Sequence, residues 1–147
     1  NGPSRNSNYI RLKIFNSYKK YYDNSTILVG HSLGGTFLLR VIERSNIKIK
    51  ASFIVSAPIG ILPIKNYKAD KLFLGKFVFN WGKIKNHCSK FFVFHSDNDP
   101  YVSFGNGEEL SKQLGTKLVF IPNAGHFNKN AGYTTFDQLF EIIKNEV

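Results

Sequence analysis

A short apolar run that breaks directly into a helical pattern is the feature that most constrains this fold. Residues 26–29 are rich in β-branched side chains, which is typical of a buried strand, and Gly30-His31-Ser32-Leu33-Gly34 follows at once. Apolar residues then recur at helical spacing over 33–44. A strand that turns sharply into a helix puts the serine hydroxyl above the carboxyl edge of a parallel sheet. Because the turn is tight, we expect both glycines of the motif to stand where no side chain fits.

The same alternation of strand and helix patterns continues along the chain. Continuous apolar runs predict three further strands, at 51–56, 91–95 and 117–121. Helical spacing predicts three further helices, at 10–22, at 107–114 with Gly115 as its left-handed cap, and from a capping box at 135–138 to the C-terminus. Residues 57–85 show no sustained period. Apolar strands separated by helices are typical of a parallel sheet covered on both faces, so we expect one α/β domain over 1–147.

Composition limits the classes to which the chain can belong. Its 147 residues, 42% of them hydrophobic, are enough for one core, and no stretch approaches the ~20 apolar residues of a membrane span. The single cysteine, Cys88, excludes an internal disulfide and favours a cytoplasmic location. The net charge of +10 comes from scattered lysines, which favours a solvated basic surface over a nucleic-acid footprint. We therefore expect no nucleic-acid or membrane partner.

Two further polar loops follow strands and complete a chemical pattern. Asp97 and Asp99 come after the strand at 91–95, and His126 comes after the strand at 117–121. The order serine, aspartate, histidine is the order of the α/β-hydrolase catalytic triad. In this interpretation Ser32 is the nucleophile, His126 the general base, and an aspartate orients the imidazole.

The aspartate can be either of two residues. Asp99 lies three residues before Val102 and directly before Pro100, which would rigidify the turn that aims its carboxylate. Asp97 lies closer to the strand end, and capping the loop is the simpler role for it. We favour Asp99 as the acid and keep Asp97 as the alternative.

Three blocks make a specific resemblance. Residues 28–34, 96–102 (Ser-Asp-Asn-Asp-Pro-Tyr-Val) and 123–128 resemble the retinoblastoma-binding-protein-nine-like small serine hydrolases of the α/β-hydrolase superfamily. The resemblance implies a compact α/β core without a large lid and hydrolysis of small ester or amide substrates. We expect a three-layer sandwich with a mainly parallel sheet, an acyl-enzyme route, and no metal or organic cofactor. It carries the roles of nucleophile, acid and base to Ser32, Asp99 and His126.

The resemblance also exposes two departures. Ser103 stands where such families commonly have proline. Family members begin with a strand and a His-Gly loop that donates one oxyanion-hole N–H, and residues 1–24 match neither; Asn1 is also not an initiator methionine. Leu33 N–H supplies one donor. We therefore expect an N-terminally incomplete domain that lacks its first strand or strands and turns over poorly.

Several residues have alternative interpretations. His31, Trp81 and Phe127 are candidates for a substrate pocket, although packing onto the core is the simpler role for the two aromatic residues. Cys88 has no metal-ligand spacing or nearby histidine signature, so a packing role is expected. The sequence identifies no protein partner. The competing hypothesis for the whole chain is a non-catalytic α/β-hydrolase-fold protein that binds a partner or small ligand.

Overall fold

A four-stranded parallel sheet forms the centre of the computed structural model, which describes residue 13 and residues 15–147. Its strands, in spatial as well as chain order, are β1 (Ile27–His31), β2 (Ile49–Val55), β3 (Cys88–His95) and β4 (Leu118–Phe120). The α-helices are α1 (Leu33–Glu43), α2 (Tyr67–Leu74), α3 (Trp81–Asn86), α4 (Phe104–Leu114) and α5 (Asp137–Glu146). Short 3-10 turns lie at Lys19–Tyr21 and Lys129–Ala131.

The strand register brings the carboxyl ends together at one edge of the sheet. His31 at the end of β1 pairs with Val55, and Val55 pairs with Phe94 on β3. His95 at the end of β3 pairs with Phe120 on β4. The loops that follow β1, β3 and β4 therefore leave the sheet side by side, which is where ligands bind in sheets of this type.

Two apolar layers cover the two faces of the sheet. On one face, residues of α1, α3 and α4 pack against β2 and β3, with Leu39, Ile54 and Leu110 almost fully buried. On the other face, Leu139 of α5 packs with residues that include Phe53 and Phe94. The chain thus forms the three-layer α/β sandwich that the uninterrupted apolar strands predicted.

Local differences from the sequence predictions have tertiary causes. The structure adds α2 and α3 where residues 57–85 showed no period, with α3 ending at Asn86. The side chain of Asn80 caps α3 by accepting a hydrogen bond from Lys83 N–H (3.0 Å). The predicted capping box is wrong, because α5 begins at Asp137 and its N-cap residue, Phe136, has no side-chain cap. The Phe136 ring instead packs against Phe94. The predicted helix at 10–22 lies partly outside the described residues; 15–18 are helical.

Candidate active site

Ser32 stands at a strained turn between β1 and α1. Its backbone has φ 55° and ψ −128°, which is uncommon for a residue other than glycine. Hydrogen bonds hold the turn: Ser32 N–H donates to Val55 O at 2.8 Å, and Ser32 O accepts from Gly35 N–H at 3.0 Å. The Thr36 hydroxyl, one residue further along, donates to Pro58 O at 2.7 Å. Strained residues of this kind are enriched at active sites.

The glycines around Ser32 are not equally constrained. A Cβ on Gly30 would lie 2.7 Å from Leu38 Cδ1 and 2.8 Å from Gly35 Cα, so the first glycine of the motif is required. A Cβ on Gly34 would meet nothing within 4 Å, so the expectation for the second glycine is wrong. The close approach occurs one residue later, where a Cβ on Gly35 would lie 2.8 Å from Ala57 Cβ. The sharp turn therefore depends on Gly30 and Gly35.

This difference predicts opposite effects for two adjacent substitutions. Gly35→Ala should lower the free energy of unfolding by about 1–3 kcal/mol, because the added methyl group forces α1 away from the sheet. Gly34→Ala is the matched control and should leave stability unchanged or raise it by up to ~1 kcal/mol, since alanine is the better helix former. Urea denaturation measures both. Equal losses in the two variants would contradict the packing described for Gly35.

Asp99 and His126 form a buried acid–base pair. The Asp99 side chain is fully buried; its Oδ2 lies 2.8 Å from His126 Nδ1, and its Oδ1 accepts the N–H groups of Tyr101 (2.9 Å) and Val102 (3.1 Å). Burial opposes ionisation of the Asp99 carboxyl, but these three hydrogen bonds outweigh it, and the pKa is lowered. An ionised carboxylate only accepts, so His126 Nδ1 carries a proton and neutral His126 presents the lone pair of Nε2.

The three residues before Asp99 hold the loop that carries His126. Their side chains accept hydrogen bonds from three consecutive backbone N–H groups, those of residues 123–125. The pairs are Asp97 Oδ1 with Asn123 N (2.8 Å), Ser96 Oγ with Ala124 N (2.9 Å) and Asn98 Oδ1 with Gly125 N (2.7 Å). We call Ser96, Asp97 and Asn98 the amide cradle. Asp97 therefore contacts the histidine loop backbone, whereas Asp99 contacts the imidazole itself.

Two more side chains contact His126. His31 Nε2 lies 2.7 Å from the backbone O of His126, and the two imidazole centroids are 4.6 Å apart. The Tyr101 ring meets the His126 ring edge-on at 4.9 Å. Within residues 15–147, the Ser32 hydroxyl has no hydrogen-bond partner in this structure. Sequence reasoning missed both the cradle and the Tyr101 contact, although both lie in the block at 96–102.

The three candidate pocket residues have different surroundings. Phe127 is buried and stacks on Phe136, 5.2 Å between ring centroids, so its ring supports the loop of His126. Trp81 packs on the core beside Phe79. The preceding Asn80 N–H donates to Glu43 at the far end of α1 (2.5 Å), about 16 Å from Ser32 at the usual helical rise. Of the three, only His31 contacts His126 through a hydrogen bond.

A second histidine lies beneath the acid loop. His95 is fully buried; its Nε2–H donates to Val102 O at 3.1 Å, and the same nitrogen lies 3.9 Å from Asp99 Oδ2. Burial lowers the pKa of His95. The folded protein therefore keeps this imidazole neutral at a pH where the unfolded chain, with a pKa of about 6.5, binds a proton.

Stability should consequently fall as the pH drops below about 6.5, because the unfolded state then binds more protons than the folded state. One such group contributes at most about 1.4 kcal/mol per pH unit. His95→Gln keeps a donor for Val102 O and removes the titration, so its unfolding free energy should change less between pH 7.5 and 5.5. Urea titrations at both pH values measure the difference. Identical pH slopes for variant and wild type would contradict this prediction.

Other groups give no second site in the described part of the chain. The Cys88 thiol is buried and donates to Lys90 O at 3.0 Å, and burial raises its pKa to about 11, which keeps it protonated and unreactive. Among residues 13 and 15–147 no three His, Cys, Asp or Glu side chains are grouped to hold a metal ion. None of the helices described is long and apolar enough to cross a membrane.

Comparison with known proteins identifies the family. A family model described as "Serine hydrolase" matches residues 12–145. The chain belongs to the serine hydrolase family. The resemblance predicted from the three sequence blocks is confirmed, and it now extends over nearly all of the chain.

Relatives and solved structures agree with this family. Serine hydrolase RBBP9 of Rattus norvegicus is 30% identical over 123 residues, which are 84% of this chain and 62% of the rat protein. The chain thus spans less than two thirds of that relative. The crystal structure of the ydeN gene product of Bacillus subtilis matches 92% of this chain and 72% of its own, with a TM-score of 0.79 at 24% identity. Serine hydrolase CCSP0084 of Cycloclasticus zankles gives a TM-score of 0.74 at 13% identity, covering 99% of this chain and 72% of that one. The last two show that this chain has the α/β-hydrolase fold.

Proposed function

We propose that this serine hydrolase cleaves small ester or amide substrates through a Ser32–His126–Asp99 triad and an acyl-enzyme intermediate. The observation that carries the proposal is the Asp99–His126 pair, whose 2.8 Å bond to Nδ1 leaves Nε2 as the base on the side of the imidazole away from the carboxylate. The strained turn at Ser32 supplies the complementary nucleophile, whose hydroxyl makes no hydrogen bond to any of the described residues.

The reaction follows from these groups in two steps. Ser32 Oγ attacks the carbonyl carbon while His126 Nε2 takes its proton; the resulting imidazolium is stabilised by Asp99 and then protonates the leaving alcohol or amine. In the second step His126 takes a proton from water, the hydroxide attacks the acyl carbon, and the Ser32–acyl bond breaks with return of the proton to Oγ.

One oxyanion donor can be assigned among the described residues. Leu33 is the first residue of α1, so its N–H has no partner within the helix and is available to a developing negative charge above Ser32. Loss of one of two such donors typically lowers kcat by about 10²–10³-fold. With one donor assigned among the described residues, we propose that strongly activated reagents acylate Ser32 more readily than ordinary esters do.

A fluorophosphonate probe tests the proposal with such a reagent. Ser32 Oγ should attack phosphorus and displace fluoride, and the covalent adduct should map to the peptide that contains Ser32 by mass spectrometry. Heat-denatured protein is the control, since an unfolded serine has no base beside it. Absence of an adduct on the folded chain, or an adduct at another residue, would favour the alternative of a non-catalytic binding protein.

A further inference from the structure

Several hydrogen bonds hold the base and the acid together, whereas one direct hydrogen bond joins their loops to the turn of Ser32. Three amide-cradle bonds and the Asp99–His126 bond link the loop after β3 to the loop after β4. Within residues 15–147, a single hydrogen bond joins the turn at Ser32 to the loop of His126, and His31 makes it. The sheet carries both loops, and the His31 bond is the direct hydrogen bond between them among the described residues.

The chemistry of this bond fixes which atom donates. The backbone carbonyl of His126 can only accept, so His31 Nε2 must carry the proton. His31 and Ser32 are adjacent in the chain. A change in the position of the His31 ring therefore shifts the turn that carries the nucleophile. Proton transfer needs Ser32 Oγ within about 3 Å of His126 Nε2, and the hydroxyl makes no hydrogen bond to the residues that the structure describes.

We propose that His31 is a positioning residue that sets the distance between Ser32 and His126 by donating its Nε2–H to the His126 carbonyl. This inference rests on the proposed function, because it assigns His31 to the same triad. It replaces the interpretation of His31 as a pocket wall: a wall would act through contact with the substrate, whereas this bond acts on the base.

The charge on His31 fits this role. Its ring faces the His126 imidazole at 4.6 Å, with the Asp99 carboxylate behind His126. Burial lowers the pKa of His31, and it outweighs the hydrogen bond to His126 O and the Asp99 charge, which both raise it. Repulsion from His126 lowers the pKa further. A neutral His31 keeps its donor without placing a second positive charge beside the imidazolium that forms on His126.

Two variants of equal length test the hydrogen bond. Gln at position 31 can donate an amide N–H to the carbonyl, whereas Met has the same reach and no donor. His31→Met should lower the rate constant of fluorophosphonate labelling at saturating probe by about 10–100-fold, with the probe concentration for half-maximal rate unchanged, because the reacting atoms are misplaced. His31→Gln should stay within about 3-fold of wild type. Equal losses in both, no loss in either, or a change confined to the half-maximal concentration would overturn the proposal.

A second measurement separates this inference from the proposed function. The downfield proton NMR signal of His126 Nδ1–H, bonded to Asp99, needs no turnover. It should persist in His31→Gln and broaden in His31→Met, since the loop of His126 loses a hydrogen bond to the Ser32 turn. Equal signals in wild type and both variants would overturn the inference.

Absence of labelling in the wild-type protein would instead count against the triad, and the NMR comparison would still decide the role of His31. Urea unfolding of each variant confirms that it is folded.

Discussion

Replacing Ser32 with alanine should abolish fluorophosphonate labelling and reduce hydrolysis of an activated ester by on the order of 10⁴-fold or more. The expected loss is this large because the Ser32 hydroxyl forms the covalent bond. Among the described residues, no other serine lies in the turn between β1 and α1, which faces the His126 loop. Ser25→Ala is the matched control. Ser25 lies in an exposed turn where its hydroxyl donates to Asp23 Oδ1, and it should label like wild type.

The outcome of this comparison separates the two candidate functions. Equal labelling of wild type and Ser32→Ala would show that the adduct forms elsewhere and would remove Ser32 from the reaction. Labelling lost in Ser32→Ala alone would establish the nucleophile. The α/β-hydrolase fold itself would stand in either case, since it rests on the sheet and its relatives and not on the activity.

Replacing Asp99 with asparagine should lower kcat by about 10⁴-fold, the size of effect found for the equivalent change in a Ser-His-Asp enzyme. An asparagine amide would donate towards His126 Nδ1, favouring the tautomer in which Nε2 carries the proton and cannot act as base. Asp97→Asn keeps an Oδ1 acceptor for Asn123 N–H and should cost less than about 10-fold. Active-site titration together with steady-state kinetics measures both variants.

This pair also decides between the two aspartates that the sequence left open. A larger loss in Asp97→Asn than in Asp99→Asn would make Asp97 the acid and would contradict the 2.8 Å contact of Asp99 with His126. Comparable folding of the two variants is expected, because each substitution preserves side-chain volume; urea unfolding checks this.

The predictable part of the fold was the part set by local pattern. The apolar runs predicted the four strands and their parallel pairing. Gly115 ends α4 with φ 71°, as the predicted left-handed cap requires. The capping box failed because aromatic packing of Phe136 outweighed a local hydrogen-bonding preference. Long-range contacts of this kind produce no periodic pattern of apolar residues. The first residue of a helix that depends on them therefore cannot be predicted from the spacing of residues in the sequence.

The candidate site divides in the same way. Ser32, the acid loop and His126 could be located because each follows a strand, and parallel strands bring their carboxyl ends together. The roles of His31 and Asp97 could not, because both act through hydrogen bonds to backbone groups of the distant His126 loop. The sequence motif also pointed to Gly34, whereas the structure requires glycine at position 35. Gly35 is required because it lies against Ala57, and the spacing of the motif gives no information on that contact.

Because the amide cradle joins the loops after β3 and β4, protein engineering has to replace the two loops together. A graft of residues 96–99 from a relative would leave up to three amides at 123–125 without these acceptors. The amides of Ala124 and Gly125 are buried or partly buried, and each would cost about 1–3 kcal/mol if left unpaired. If the histidine loop alone were grafted, its backbone N–H groups would have to match the fixed positions of the three cradle acceptors. Substrate range in this fold is therefore more safely altered elsewhere, or by transplanting both loops together.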